Sequence, residues 1–189
     1  MDQLEKDLKI LMARFSLEQD NRDEVETQLM ELATKDKLTG VFNRHKWDEQ
    51  IKDEIALANR GHHFSLILLD VDHFKKINDS HGHDVGDDVL KLLVSTLRKR
   101  LRETDIMFRI GGEEFVILLR DTNLADAKML AEQLRKQVEM QNDIDLPSFT
   151  ISLGVTDYQE LDDHSRIVKR ADVLLYQAKD AGRNCVMSG

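Results

Sequence analysis

Residues 109 to 119, RIGGEEFVILL, set two glycines and two adjacent glutamates, Glu113 and Glu114, between apolar runs. A carboxylate buried without a partner is costly, so a pair of them at a strand end calls for a cation, a hydrogen-bond network or open water. More acid stands upstream in FSLILLDVDHF, where an apolar run after Ser65 leads to Asp70 and Asp72. That pattern predicts a strand buried on both faces that delivers an acid at its exit. With the two strand ends adjacent on one sheet, Asp70, Asp72, Glu113 and Glu114 converge, and several carboxylates in one place repel unless a divalent ion neutralises them. Oxygen-only ligands suit magnesium or manganese rather than zinc. A magnesium ion held by one or two carboxylates keeps positions for water and substrate phosphates, which points to phosphoryl or nucleotidyl transfer.

The elements that must position these acids follow from the apolar spacing. After a turn at Gly40, HKWDEQIKDEIALANRG has helical spacing, the Asp70 strand follows, and GDDVLKLLVSTLRKRLR is helical again. IMFRI and EEFVILLR flank the glycine pair as a hairpin. LADAKMLAEQLRKQVEM reads as a helix, FTISLGVTDY as a strand, and SRIVKRADVLLYQAKDAG as a helix closed by Gly182. The order helix, strand, helix, strand, strand, helix, strand, helix is the split βαβ arrangement with extra elements: an α+β, ferredoxin-like domain whose antiparallel-containing sheet carries helices.

Ahead of it, spacing of four and three visits Leu4, Leu8, Leu11, Phe15, Glu18, Arg22, Val25, Leu29 and Leu32, a heptad seam with a charged break. The alternative is an amphipathic helix lying on its own domain; the unbroken run before Gly40 favours a stalk that pairs with a second copy. The division expected is a coiled-coil helix over 1–33 and a compact domain over 34–189. A net charge of -9 argues against a general nucleic-acid or anionic-membrane binder, while leaving room for a local basic phosphate pocket. The single Cys185 cannot form an internal disulfide, and no run resembles a membrane span or a signal peptide, so a cytoplasmic location is expected without membrane contact. No upstream sensor is visible in the sequence.

RIGGEEF, together with LLDVDHFKKINDSHGHDVGDDVL, KDKLTGVFNRH and ADVLLYQAKDAGRN, closely resembles the GGDEF family of diguanylate cyclases in its GGEEF variant. The resemblance covers about Ala33 to Val186 and implies a palm-type nucleotidyl cyclase fold. It implies magnesium, or manganese, held by Asp70, the backbone of Val71 and Glu113, with Glu114 a further ligand or an aid in deprotonating the attacking hydroxyl. Gly111 and Gly112 match the turn where ribose and phosphates approach the backbone. Asn78 and Asp87 match the pair that reads guanine, and a carboxylate suits guanine's N–H donors where adenine would oppose an acceptor to it. Phe74 and Lys75 by their backbone, and Lys75, Lys179 and Arg183 by their cations, resemble the phosphate contacts. Arg109 resembles a family arginine whose role stays open, and DKLTGVFNR resembles the family's domain-entry motif. The HGHD string is a weak zinc signal, since histidines two apart on a loop make a poor ligand set.

The activity so implied condenses two GTP into cyclic di-GMP and two pyrophosphates across a homodimer. Arg102 and Asp105 of RETD match the family's inhibitory site for the product. The rival reading is a non-catalytic receptor for GTP or cyclic di-GMP, against which stands the presence of Asp70, Glu113 and Glu114 together.

Overall fold

The computed structural model describes residues 3–141 and 143–189, except for the side chains of residues 3–10, 13, 16, 17, 23, 24 and 27. It divides into two compact units, Met1–Lys35 and Asp36–Gly189. The first is a single helix, α1 (Gln3–Thr34). Leu11, Phe15, Val25, Leu29 and Leu32 are each more than half exposed along it, whereas helices of this length are usually stabilised by packing an apolar face. Leu4 and Leu8, at the head of the predicted seam, lie outside the described side chains.

The second unit comprises α2 (Arg44–Ala58), β1 (Phe64–Val71), α3 (Phe74–His81), α4 (His83–Arg98), β2 (Ile106–Arg109), β3 (Glu114–Arg120), α5 (Leu124–Glu139), β4 (Ile151–Asp157), α6 (His164–Asp180) and β5 (Val186–Ser188). The sheet order is β2-β3-β1-β4-β5. β1 is central and antiparallel to both β3 and β4, and β5 joins β4 in parallel. All eight residues of β1 are buried, as a strand covered on both faces requires.

Alternation along the strands sorts the core into two layers. Ile67, Leu69, Val71, Phe115, Ile117, Leu153 and Val155 face α3, α4 and α5. Leu66, Leu68, Val116 and Leu118 face Trp47 and Ile51 of α2 and Ile167, Ala171 and Leu175 of α6. Each fully buried aliphatic or aromatic side chain contributes roughly 1.5–3 kcal/mol, so a register slip would expose a whole layer and the strand ends are fixed accordingly.

The expected order lacked two elements. α3 forms over residues expected to be loop and ends at Gly82, whose φ of +89° only glycine takes readily, and α4 then starts at His83, ahead of the expected Gly86. β5 is a three-residue strand with too little apolar pattern to announce itself. Among the described residues, no helix is long and apolar enough to cross a membrane.

Candidate active site

Strand register brings the acids together. Asp70, the penultimate residue of β1, is the cross-strand partner of Glu114, which opens β3 just past the glycine turn. Across its other edge Asp70 faces Ser152 of β4. Lys179, in the last turn of α6, places its Nζ 2.9 Å from Asp70 Oδ2. Burial pushes the Asp70 carboxyl up to about 6; the hydrogen bond and charge of Lys179 oppose the rise, and the charges of Glu113 and Glu114 add to it.

Gly111 and Gly112 work by lacking side chains, and neither has a left-handed backbone. A Cβ on Gly111 would come within 2.4 Å of Glu114 Oε2, so the carboxylate folds over the bare glycine, whereas Gly112 faces open space. Arg109 clamps the turn: its Nε and Nη2 donate to the Gly112 carbonyl at 3.1 and 2.7 Å, and its Nη1 to Asp36 Oδ1 at 3.0 Å. Asp36 also accepts from the Thr39 backbone at 2.9 Å and hydroxyl at 2.6 Å. Burial tends to raise the Asp36 carboxyl, but the bonds from Thr39 and Arg109 prevail and hold it below its ordinary value. The entry motif thus braces the hairpin, a role for Arg109 that spacing alone left open.

Asp72 corrects the sequence reading. It does not join the other acids as an open ligand: buried to 4% exposure, it accepts from Thr150 Oγ1 at 2.7 Å, Ser152 Oγ at 2.6 Å and the Asn184 backbone at 3.0 Å. Asn184 in turn donates to Glu139 at 2.6 Å and accepts from Arg135 at 2.8 Å. Gly182, Arg183 and Asn184 run consecutively through left-handed φ values of +112°, +69° and +47°. Such backbone costs on the order of 1 kcal/mol per non-glycine residue and persists where surrounding bonds over-determine it. The Asp72 network supplies those bonds and thereby sets the turn that carries Arg183. Its partners lie far away in the sequence, which is why no local signal marked it.

The short helix α3 brings the remaining candidates to the same end of the sheet. His73 enters it at a φ of +58° and no side chain caps it, so the first N–H groups, those of Phe74 and Lys75 included, have no intrahelical partner. Asn78 lies against α4, its Oδ1 buried and without a hydrogen-bond partner. A Cβ on Gly86 would sit 1.9 Å from that oxygen, so glycine is what lets the two helices close on the amide. Asp87 follows on α4, exposed, and Lys75 is exposed on α3.

The acids fit a divalent ion chemically: a buried carboxyl whose ionisation is resisted by two neighbouring glutamates calls for positive charge. Among the described residues, however, no three acid or imidazole groups are already gathered as a cage, and the lysine ammonium takes the place beside Asp70.

Arg102 and Asp105 lie elsewhere, in the turn between α4 and β2 rather than on a helix end. Arg102 N donates to Asp105 Oδ2 at 2.8 Å and Asp105 N to the Arg102 carbonyl at 3.1 Å. They line a cavity of about 300 Å³ with Arg100, Leu119, Asp126 and Gln133. Leu119 and Glu114 are five residues apart on β3, roughly 17 Å at ~3.3 Å per residue, so this cavity and the acid mouth occupy opposite ends of one strand.

Comparison with known proteins identifies the fold that carries these residues. The family described as "Diguanylate cyclase, GGDEF domain" matches residues 33–185. The chain is 41% identical over 185 residues to the diguanylate cyclase DgcP of Pseudomonas aeruginosa, covering 94% of this chain and 27% of that protein. It is 41% identical over 168 residues to the diguanylate cyclase DgcM of Escherichia coli, covering 87% and 40% respectively. It therefore spans well under half the length of these relatives. Among solved structures, the coiled coil and GGDEF domain of DgcB from Caulobacter crescentus, in complex with c-di-GMP, superposes with a TM-score of 0.88 at 28% identity, covering 96% of this chain and 99% of that one. An active GGEEF domain of a diguanylate cyclase from Vibrio cholerae superposes with a TM-score of 0.72 at 34% identity, covering 77% and 96%.

Proposed function

The chain belongs to the GGDEF family of diguanylate cyclase domains, and from that premise we propose that it condenses two GTP molecules into cyclic di-GMP with release of two pyrophosphates. The observation that carries the reading is the cross-strand pairing of Asp70 with Glu114 at a mouth where a lysine supplies the counter-charge. In the reaction each 3′ oxygen attacks the α-phosphorus of the other nucleotide; one P–O bond forms and one bond to the leaving pyrophosphate breaks, twice over. Glu114, folded over Gly111 beside Asp70, is placed to accept a hydroxyl proton or to serve as a ligand.

Asp70, the Val71 carbonyl, Glu113 and Glu114 would hold magnesium or manganese, which when bound lowers the pKa of the attacking hydroxyl and offsets the charge of the leaving group. Phe74 and Lys75 offer free N–H groups to phosphate oxygens. Lys75, Lys179 and Arg183 supply cations, Arg183 from a backbone pinned by the Asp72 network. Asn78 would read guanine through its partly exposed amide, and the exposed Asp87 would accept guanine N–H groups.

One domain offers one such mouth, so completing the ring takes two copies facing each other. The exposed apolar stripe on α1 supports a stalk that pairs them and raises their effective concentration. Filling the charged break with Glu18→Leu and Arg22→Leu should change the turnover rate; an unchanged rate in a verified dimer would count against control by the stalk. At the far end of β3, the Arg102–Asp105 turn is read as the product site, because guanidinium forks and a nearby acid suit phosphate and guanine edges. Arg102→Ala should then relieve inhibition by added cyclic di-GMP.

The direct test incubates nucleotide-stripped protein with GTP and magnesium, following cyclic di-GMP and pyrophosphate, beside a Glu113→Ala, Glu114→Ala variant. Product from the parent alone supports the cyclase. GTP binding by a dimer that makes no product would make the domain a receptor.

A further inference from the structure

Among the described residues, Asp70 and Lys179 form a contact at the mouth whose donor is free to leave. Lys179 Nζ stands 2.9 Å from Asp70 Oδ2, with the lysine side chain 30% exposed and the aspartate 9%. The donors on Asp72 are hydroxyls on β4 or just before it and a backbone N–H, all held by the sheet or by a tight turn. Lysine is instead a compact charge on a four-carbon stem with many rotamers, and it can move several ångströms without disturbing its helix. Room for that movement exists. A cavity of about 550 Å³ is lined by Lys179 together with Glu114, Asp172, Tyr176 and Asp180.

The position of the ammonium is the one a divalent ion needs. Both cations neutralise the same carboxylate at close range, and Asp70 is too enclosed to serve an ammonium and a metal side by side without placing like charges next to each other. We propose that Lys179 is a tethered counter-ion that competes with the divalent metal for Asp70, and that a triphosphate admits the metal by drawing the ammonium away to its own oxygens. The inference rests on the metal-dependent reading above and goes beyond it: Lys179 has two partners in sequence, first the acid and then the phosphates. Metal and nucleotide then bind with positive coupling, and by linkage each strengthens the other by the same factor. A mouth without nucleotide keeps a counter-charge on Asp70 without taking up metal.

The test titrates manganese into the full chain, reading free Mn²⁺ by its electron paramagnetic resonance signal, with and without a GTP analogue that cannot be cleaved at the α–β bond. Lys179→Met keeps the stem and removes the charge; Lys179→Gln serves as a second variant, and near-UV circular dichroism checks both folds. The parent should bind manganese weakly alone and about tenfold or more tightly with the analogue, a tenfold change being about 1.4 kcal/mol. Lys179→Met should bind manganese alone about as much more tightly, with the gain from the analogue largely gone. Manganese affinity in both lysine variants no higher than in the parent would overturn the proposal while leaving the metal site standing. An Asp70→Asn variant that binds manganese as well as the parent, or a parent that binds none even with the analogue, would instead remove the metal site itself.

Discussion

Asp70 and Asp72 stand two residues apart at the exit of the same strand, both nearly inaccessible to solvent, yet they occupy opposite kinds of environment. Asp72 accepts three hydrogen bonds from groups fixed in the framework. Asp70 meets one flexible ammonium and two neighbouring acids, and its carboxyl is pushed up to about 6 by burial, with Glu113 and Glu114 adding to the rise against Lys179. Residue type is the same and both are enclosed, Asp70 inside β1 and Asp72 just past its end; the difference lies in what the surroundings satisfy. A saturated carboxylate holds structure together, whereas one left short of positive charge is available for chemistry.

The contrast can be broken most sharply through stability. Asp72→Ala leaves two hydroxyls and a backbone N–H without their acceptor and should cost about 3 kcal/mol, read as a fall in melting temperature of roughly 6–12 °C at ~2–4 °C per kcal/mol. Asp70→Asn should melt no lower than the parent at neutral pH, because it removes a charge that the fold tolerates poorly. A large loss of stability in Asp70→Asn would erase the distinction.

The pH dependence sharpens it further. The folded Asp70 carboxyl titrates near 6 against an ordinary 3.8, so the folded chain holds this proton more tightly than the unfolded one. The stability this contributes is present below about pH 4 and is lost as the pH rises from 4 to 6 in metal-free buffer. The parent should therefore lose stability relative to Asp70→Asn across that window, and manganese affinity should decline as the pH falls through 6. Parallel melting curves for the two proteins would contradict the assignment. A smaller effect is expected at Arg109, whose guanidinium joins Gly112 to Asp36. Arg109→Ala should cost about 1–2 kcal/mol, a fall in melting temperature of roughly 2–8 °C, and should loosen the hairpin that presents Glu114, raising KM for GTP.

Much of this was readable from residue order, because it depends on local periodicity. The apolar run ending at Asp70 reads as a buried strand and the apolar stretches around Gly111 and Gly112 as a hairpin, while the register that sets Glu114 opposite Asp70 comes from the non-local pairing of β1 with β3. What escaped notice depends on partners distant in the chain. By spacing Asp72 reads as one more acid of the metal cluster; the donors to its carboxylate, Thr150, Ser152 and Asn184, are 78, 80 and 112 residues away. Arg109 reaches 73 residues back to Asp36. The helix α3 was not legible because FKKINDSH carries only Phe74 and Ile77 as apolar positions, too few for a helical period, so the stretch through HGHD is expected as loop.

Asp70 is proposed as the buried carboxylate that would hold the metal, and the most direct measurement is formation of cyclic di-GMP from GTP and magnesium by Asp70→Asn beside the parent and Asp72→Asn, each first shown to be folded. The account predicts product from the parent, a reduced amount from Asp72→Asn at temperatures below its melting point, and a loss of at least about 100-fold in Asp70→Asn. Turnover by a folded Asp70→Asn within a few-fold of the parent would contradict it.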